Sequence, residues 1–182
     1  MQIHLDLHEN ATRSQILDTL LEAMSEEERT SFDYIMNHAV VPDKHHHSIV
    51  EVRESIDALT VPEQVKHDLH EVYEILAKAE AKVHGCKVEE THFHEVGNAN
   101  GIRNALAICA AFYVLAPQSV TATAIQPGEG EIECAHGVLS LPAPATAAII
   151  EGLPLAQTRL QGERVTPTSA ALIKHFVTSF TE

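Results

Sequence analysis

His92-Phe93-His94-Glu95 sets two imidazoles two residues apart, with a carboxylate beside the second. In an extended segment residues i and i+2 share a face, so His92 and His94 would project together while Phe93 packs behind them. Two imidazoles at that spacing can grip one borderline divalent ion such as Ni²⁺, Zn²⁺ or Co²⁺. Glu95 would add a ligand or orient an imidazole. The plain alternative is a solvated strand face, because the His-x-His spacing is common by chance. Cys134-Ala135-His136 repeats the spacing with a thiolate and an imidazole. Alone it is weak, since Cys134 could be a buried thiol and His136 a turn residue. Together the two runs supply the four N and S ligands of a closed site.

Other His residues are weighed the same way. His4, Asp6 and His8 would share one face of an opening strand, either completing a site or simply facing solvent. His45-His46-His47 lies inside the chain, in the polar stretch 40–48 around Pro42, so a transient metal-loading loop competes with an ordinary solvated one. His67 and His70 sit one turn apart on a helix and read as exposed face residues. His84 ends that helix, where its cationic form suits the C-terminal carbonyls. Cys109, among Ala and Ile, reads as core. Thr166-Pro167-Thr168 reads first as a helix cap, with substrate contact as the lesser option. No phosphate loop, nucleophile elbow or His-Glu-x-x-His motif occurs, which removes support for nucleotide hydrolases, serine hydrolases and zincins.

Composition narrows the partners. The 182 residues suffice for one domain, and 45% are hydrophobic, with aromatics at only 4%, so an aliphatic core is expected. A formal charge of −14 argues against nucleic acid and anionic membrane surfaces. Thirteen His outnumber twelve Lys and Arg, so charge and metal affinity should both vary near neutral pH. Cys86, Cys109 and Cys134 form no even framework, and no leader peptide is evident, so a reducing cytoplasm is expected. The longest apolar run, about 105–116, is too short to span a bilayer.

These residues need elements to position them. Residues 2–8 alternate strictly, with Ile3, Leu5 and Leu7 on one face, which predicts a strand. Helices are expected from about Thr12, over 26–38 with an acidic first turn, over 48–58, and from Thr60-Val61-Pro62-Glu63 to Gly85, with Thr60 as cap. Thr91–Gly97 should be extended. The stretch 102–115 should be a buried helix, 120–125 and 131–134 strands, and 127–130 a turn. A short helix follows Pro142 and Pro144 and closes at Gly152, and Thr166 opens the last one. This predicts an α/β or α+β fold: a helix-rich single domain, 1–182, around a small mixed sheet.

Three longer strings carry a resemblance. They are Ala79-Glu80-Ala81-Lys82-Val83-His84-Gly85 leading to His92-Phe93-His94-Glu95-Val96-Gly97, then Cys134-Ala135-His136-Gly137-Val138-Leu139 continuing to Pro142-Ala143-Pro144-Ala145-Thr146, and Gly162-Glu163-Arg164-Val165-Thr166-Pro167-Thr168. Over roughly residues 60–182 the chain resembles the LarC-like nickel-insertion proteins of nickel pincer cofactor biosynthesis. The resemblance implies nickel at His92, His94, Glu95, Cys134 and His136, with His45–His47 as a shortened form of the family's His-rich loop. It implies contacts to a pyridinium bisthiocarboxylate mononucleotide at Asp6, Glu163, Thr166 and Thr168, and a CTP-consuming insertion. Two departures bear on activity. The family's Gly-rich turn after the first strand is replaced by Leu7–Ser14, and two expected Asp residues are Asn100 and Asn104. A strand pair expected before the His loop is not evident, nor is the separate domain that looks like the family's CTP-binding part. The expectation is therefore a cytoplasmic, nickel-binding, diverged member without full activity alone, served by a separate CTP-binding subunit, with homo-oligomerisation left open. The competing expectation is a regulatory or interacting paralogue whose His residues no longer form a metal site.

Overall fold

The computed structural model describes residues 1–42, 48–93, 97–134 and 137–181. It is α/β, as expected. The chain begins with β1 (Gln2–Leu5), then α1 (Arg13–Glu22), α2 (Glu26–His38), α3 (Ile49–Asp57), α4 (Glu63–His84) and α5 (Ala99–Leu115). There follow β2 (Ser119–Ala122), β3 (Glu131–Cys134), β4 (Gly137–Ser140), α6 (Pro144–Ile150), α7 (Pro167–Phe176) and β5 (Ser179–Phe180). The strands divide into a parallel sheet in the order β1-β2-β5 and a separate antiparallel hairpin of β3 and β4. Five helices thus lie between the parallel partners β1 and β2, whose register pairs Ile3 with Val120.

The opening alternation behaves as read: Ile3, Leu5 and Leu7 are buried while His4, Asp6 and His8 are exposed. β1 is an edge strand, so its polar residues face outward. Ser25 caps α2 reciprocally with Glu28, which fixes its first residue as the acidic turn suggested.

α4 is the central strut. Val65, Leu69, Val72 and Leu76 follow its inward face at helical spacing and are essentially inaccessible, each contributing about 2 kcal/mol through burial. It packs against α3, α5, α6 and α7. It ends at Gly85, whose φ of +65° is the left-handed cap expected there. Its start differs from expectation. Pro62, not Thr60, occupies the cap position, and no side chain caps the helix. Pro62 removes one N–H from the reach of any cap, so the first turn starts without a hydroxyl partner.

α5 is buried along most of its length, as its composition requires. It begins at Ala99 rather than 102, because the Asn98 side chain accepts a hydrogen bond from Gly101 N at 2.8 Å. That early start places Asn100 and Asn104 one turn apart on a single face. No strand pair precedes residue 42 apart from β1, because α1 and α2 occupy that stretch. Among the described residues no helix is long and apolar enough to cross a membrane.

Candidate functional site

The extended segment before α5 is held from behind. Thr91 Oγ1 donates to Ala77 O of α4 at 3.3 Å, and Phe93 is buried edge-on against Tyr73 with centroids 5.9 Å apart. His92, between them, is exposed. The alternation read from the sequence is therefore realised for Thr91, His92 and Phe93. His94 and Glu95 lie outside the described residues.

Ser48 forms an antiparallel bridge with His92, and Ile49 N donates to Thr91 O at 3.3 Å. Ser48 directly follows His47. Ser48 and His92, far apart in sequence, are thus brought side by side; His45, His46 and His47 lie outside the described residues. Nothing in the local sequence announces this pairing, because it is a contact across 44 positions set by how α3 and α4 pack.

Cys134 ends β3, half-buried, with Sγ 3.5 Å from Gly137 O. His136 lies outside the described residues. Among the described residues no three His, Cys, Asp or Glu side chains converge on one point. Of the metal candidates, only His92 and Cys134 are described. The hairpin is tied to the segment leading into α7 by hydrogen bonds from Glu129 N to Leu160 O and from Gly162 N to Glu129 O, both 2.9 Å. Gln126 locks the same junction: its amide donates to His8 O and Thr158 O and accepts from Gly128 N and Leu160 N. It is 1% exposed, so all of its polar capacity is spent inside the protein.

A cavity of about 310 Å³ opens where three helices begin. Thr12, Arg13 and Ser14 enter it from the start of α1, Asn98, Asn100, Gly101 and Asn104 from α5, and Thr166 and Thr168 from α7. Thr166 caps α7 reciprocally with Ser169, as expected. α1 has no side-chain cap, and Ala11 N donates to Arg164 O at 2.8 Å, binding the two helix starts together. Thr166 and Thr168 thus reach the cavity, and so do both amides that stand where the resemblance expects carboxylates. Asp6 and Glu163 are not among its lining residues. The Asp6 carboxylate instead accepts from His8 N at 3.1 Å and from Thr123 Oγ1 at 3.4 Å, closing the turn after β1. Thr12, Asn98 and Thr166, one at each helix start, are all capping residue types, the one faint sign of this cavity in the sequence.

A larger groove of about 1200 Å³ lies between α2 and the α3–α4 turn, lined by Tyr34, Tyr113 and several carboxylates. Neither His92 nor Cys134 lines it.

The three thiols differ sharply. Burial pushes the Cys109 thiol well above its ordinary value, and the nearby Asp68 charge adds to this. Cys86 and Cys134 are partly exposed. Thiolate supply and access set thiol reactivity. A maleimide at neutral pH is therefore expected to modify Cys86 and Cys134 in the folded protein and Cys109 only after denaturation. Intact-mass and peptide analysis checks this, and rapid native labelling of Cys109 would contradict the packing of α5.

The sequence model of a family described as nickel insertion protein matches residues 4–182. The pyridinium-3,5-bisthiocarboxylic acid mononucleotide nickel insertion protein of Staphylococcus epidermidis is 41% identical over 145 residues, 80% of this chain and 37% of the relative. Proteins of the same name from Geobacillus kaustophilus and Desulfitobacterium hafniense are each 36% identical, over 157 and 143 residues. They are matched over 38% and 35% of their own lengths, so the chain spans a little over a third of these relatives. No solved structure matches it. With a family match running almost end to end and the His and Cys runs inside it, this chain belongs to the nickel insertion protein family.

Proposed function

We propose that this chain holds Ni²⁺ as cargo for insertion into a pyridinium-type mononucleotide. The observation that carries this is the Ser48–His92 bridge: Ser48 is the residue that follows the His45–His47 run in sequence, and His92 is the first of the His92–Glu95 run. Imidazoles from both runs would pass the ion on, with Glu95 as a ligand or an orienting carboxylate. Cys134 and His136 would complete the donor set from the hairpin. A mixed imidazole and thiolate set also accepts Zn²⁺ and Co²⁺, so metal supply rather than raw affinity would decide the occupant. The mononucleotide named in the relatives would sit in the cavity that Thr166 and Thr168 line, because Asn98 in that cavity follows Glu95 by only three residues. In this account the chain works in a reducing cytoplasm, and the CTP-dependent step rests with a separate subunit.

The test is retention. The nickel-loaded chain is mixed with pyridinium-3,5-bisthiocarboxylic acid mononucleotide and passed through a desalting column. Metal is measured by mass spectrometry and nucleotide by absorbance. Co-elution of nickel and nucleotide with the protein, near one of each per chain, is the expected result. Nucleotide that passes through unretained, with nickel or without it, would remove the insertion role.

A further inference from the structure

On the mononucleotide reading above, the substrate carries a phosphate that must be seated somewhere. We infer that the cavity at the starts of α1, α5 and α7 holds that phosphate monoester, with Arg13 as the side chain that reads its charge.

Charge is the first argument. The chain carries 26 Asp and Glu against 12 Lys and Arg, yet no carboxylate lines this cavity. Arg13 is its one charged lining residue among the described residues. Arg29, Arg53, Lys66 and Lys82 all stand beside carboxylates. The Arg13 guanidinium, by contrast, makes no hydrogen bond or ion pair with another described residue. A guanidinium left available in so acidic a protein suits an incoming anion, and its planar fork matches phosphate oxygens.

Unspent side-chain donors are the second argument. Ser14, Asn100, Asn104 and Thr168 line the cavity and make no hydrogen bond within the described residues. They approach from three helices, so their hydroxyls and amides can meet the oxygens of a tetrahedral anion from different sides. Amides and hydroxyls cannot replace the anionic ligands that a hard cation wants, so the set favours an anion over a metal. The uncapped first turn of α1 adds its N–H groups to the same sign of field. Size agrees as well: about 310 Å³ lies at the low end of small-molecule sites, roughly 300–1,000 Å³, and fits a sugar phosphate.

The test is run without metal, so that its outcome is separate from the nickel result. Nicotinic acid mononucleotide (a pyridinium ribose phosphate) and its riboside are titrated calorimetrically in EDTA. The mononucleotide is expected to bind at least about tenfold more tightly than the riboside, and inorganic phosphate to compete with it. Arg13→Gln is expected to weaken the mononucleotide about tenfold or more and to leave the riboside unchanged. Asn100→Asp/Asn104→Asp, which introduces two negative charges, is expected to weaken it similarly. Circular dichroism verifies that both variants are folded, as expected because none of the three side chains is buried. Equal binding of the two compounds, no binding of either, or wild-type affinity in Arg13→Gln would overturn the assignment. Nickel binding that fails while this phosphate dependence holds would overturn only the metal reading.

Discussion

Gly128→Ala is expected to lower the thermal unfolding midpoint by on the order of 10 °C and to loosen the hairpin that carries Cys134. Gly128 has φ +70°, where any residue with a Cβ loses about 1–2 kcal/mol. A Cβ built there would stand 2.3 Å from Gly162 O and 3.1 Å from Arg164 N, both backbone atoms with no flexible end to move aside. The two strands of chain must separate, which breaks the Glu129–Leu160 and Gly162–Glu129 hydrogen bonds and pulls Gly128 N away from Gln126. A total cost of about 3–5 kcal/mol follows from strain plus lost buried hydrogen bonds. Gly152→Ala is the matched control. Its φ of +83° is also left-handed, but nothing lies within 4 Å of the added methyl. It should lose only the conformational part. Thermal melts followed by circular dichroism compare the two, and equal midpoints would mean that the 126–130 and 158–164 loops are not welded as described.

The consequence reaches function through position. The same junction holds the start of α7 through Arg164 O and Ala11 N, and so the cavity wall formed by Thr166 and Thr168. Rigid elements keep binding groups within the narrow tolerances that recognition requires. Gly128→Ala is therefore expected to weaken mononucleotide binding although it lies in none of the lining segments.

The parts of the fold that were legible in the sequence are those fixed by local rules. β1 follows from strict alternation, α2 from its acidic first turn, the end of α4 from Gly85, and α7 from Thr166-Pro167. Each depends on neighbours within about four residues. What escaped depends on partners far along the chain. β5 is two residues long and exists because Thr178 and Thr181 donate to Val120 O and Ala122 O of β2. β4 has weak alternation of its own and is defined by pairing with β3. The early start of α5 was missed because its apolar period begins only at Ile102, whereas the cap at Asn98 sets the first turn.

The candidate site divides in the same way. Local spacing picked out His92 and Cys134 and the threonines of the α7 cap. The resemblance implied Asp6 and Glu163 alongside these threonines, yet neither lines the cavity. Arg13 carries no local signal of a site in the sequence. Its meaning comes from α5 and α7 closing around it, which no short-range pattern encodes. The Ser48–His92 bridge is likewise tertiary.

The second large effect concerns the metal itself. His92 is exposed on a segment whose backing residues Thr91 and Phe93 are buried, so replacing it would remove the proposed ligand without opening the core. Loss of the groups that merely orient a metal's ligands costs roughly 10–100-fold in affinity, and loss of a ligand itself removes a bond to the ion. Removing two imidazoles together should therefore cost at least about a hundredfold.

The most direct measurement is a calorimetric Ni²⁺ titration at neutral pH of the wild type and of His92→Ala/His94→Ala. The account predicts tight binding near one equivalent in the wild type and its loss in the double variant, with the thermal midpoint of the metal-free protein little changed. Weak binding that is the same in both proteins would contradict it, and would leave a nickel-insertion scaffold whose His runs serve no metal.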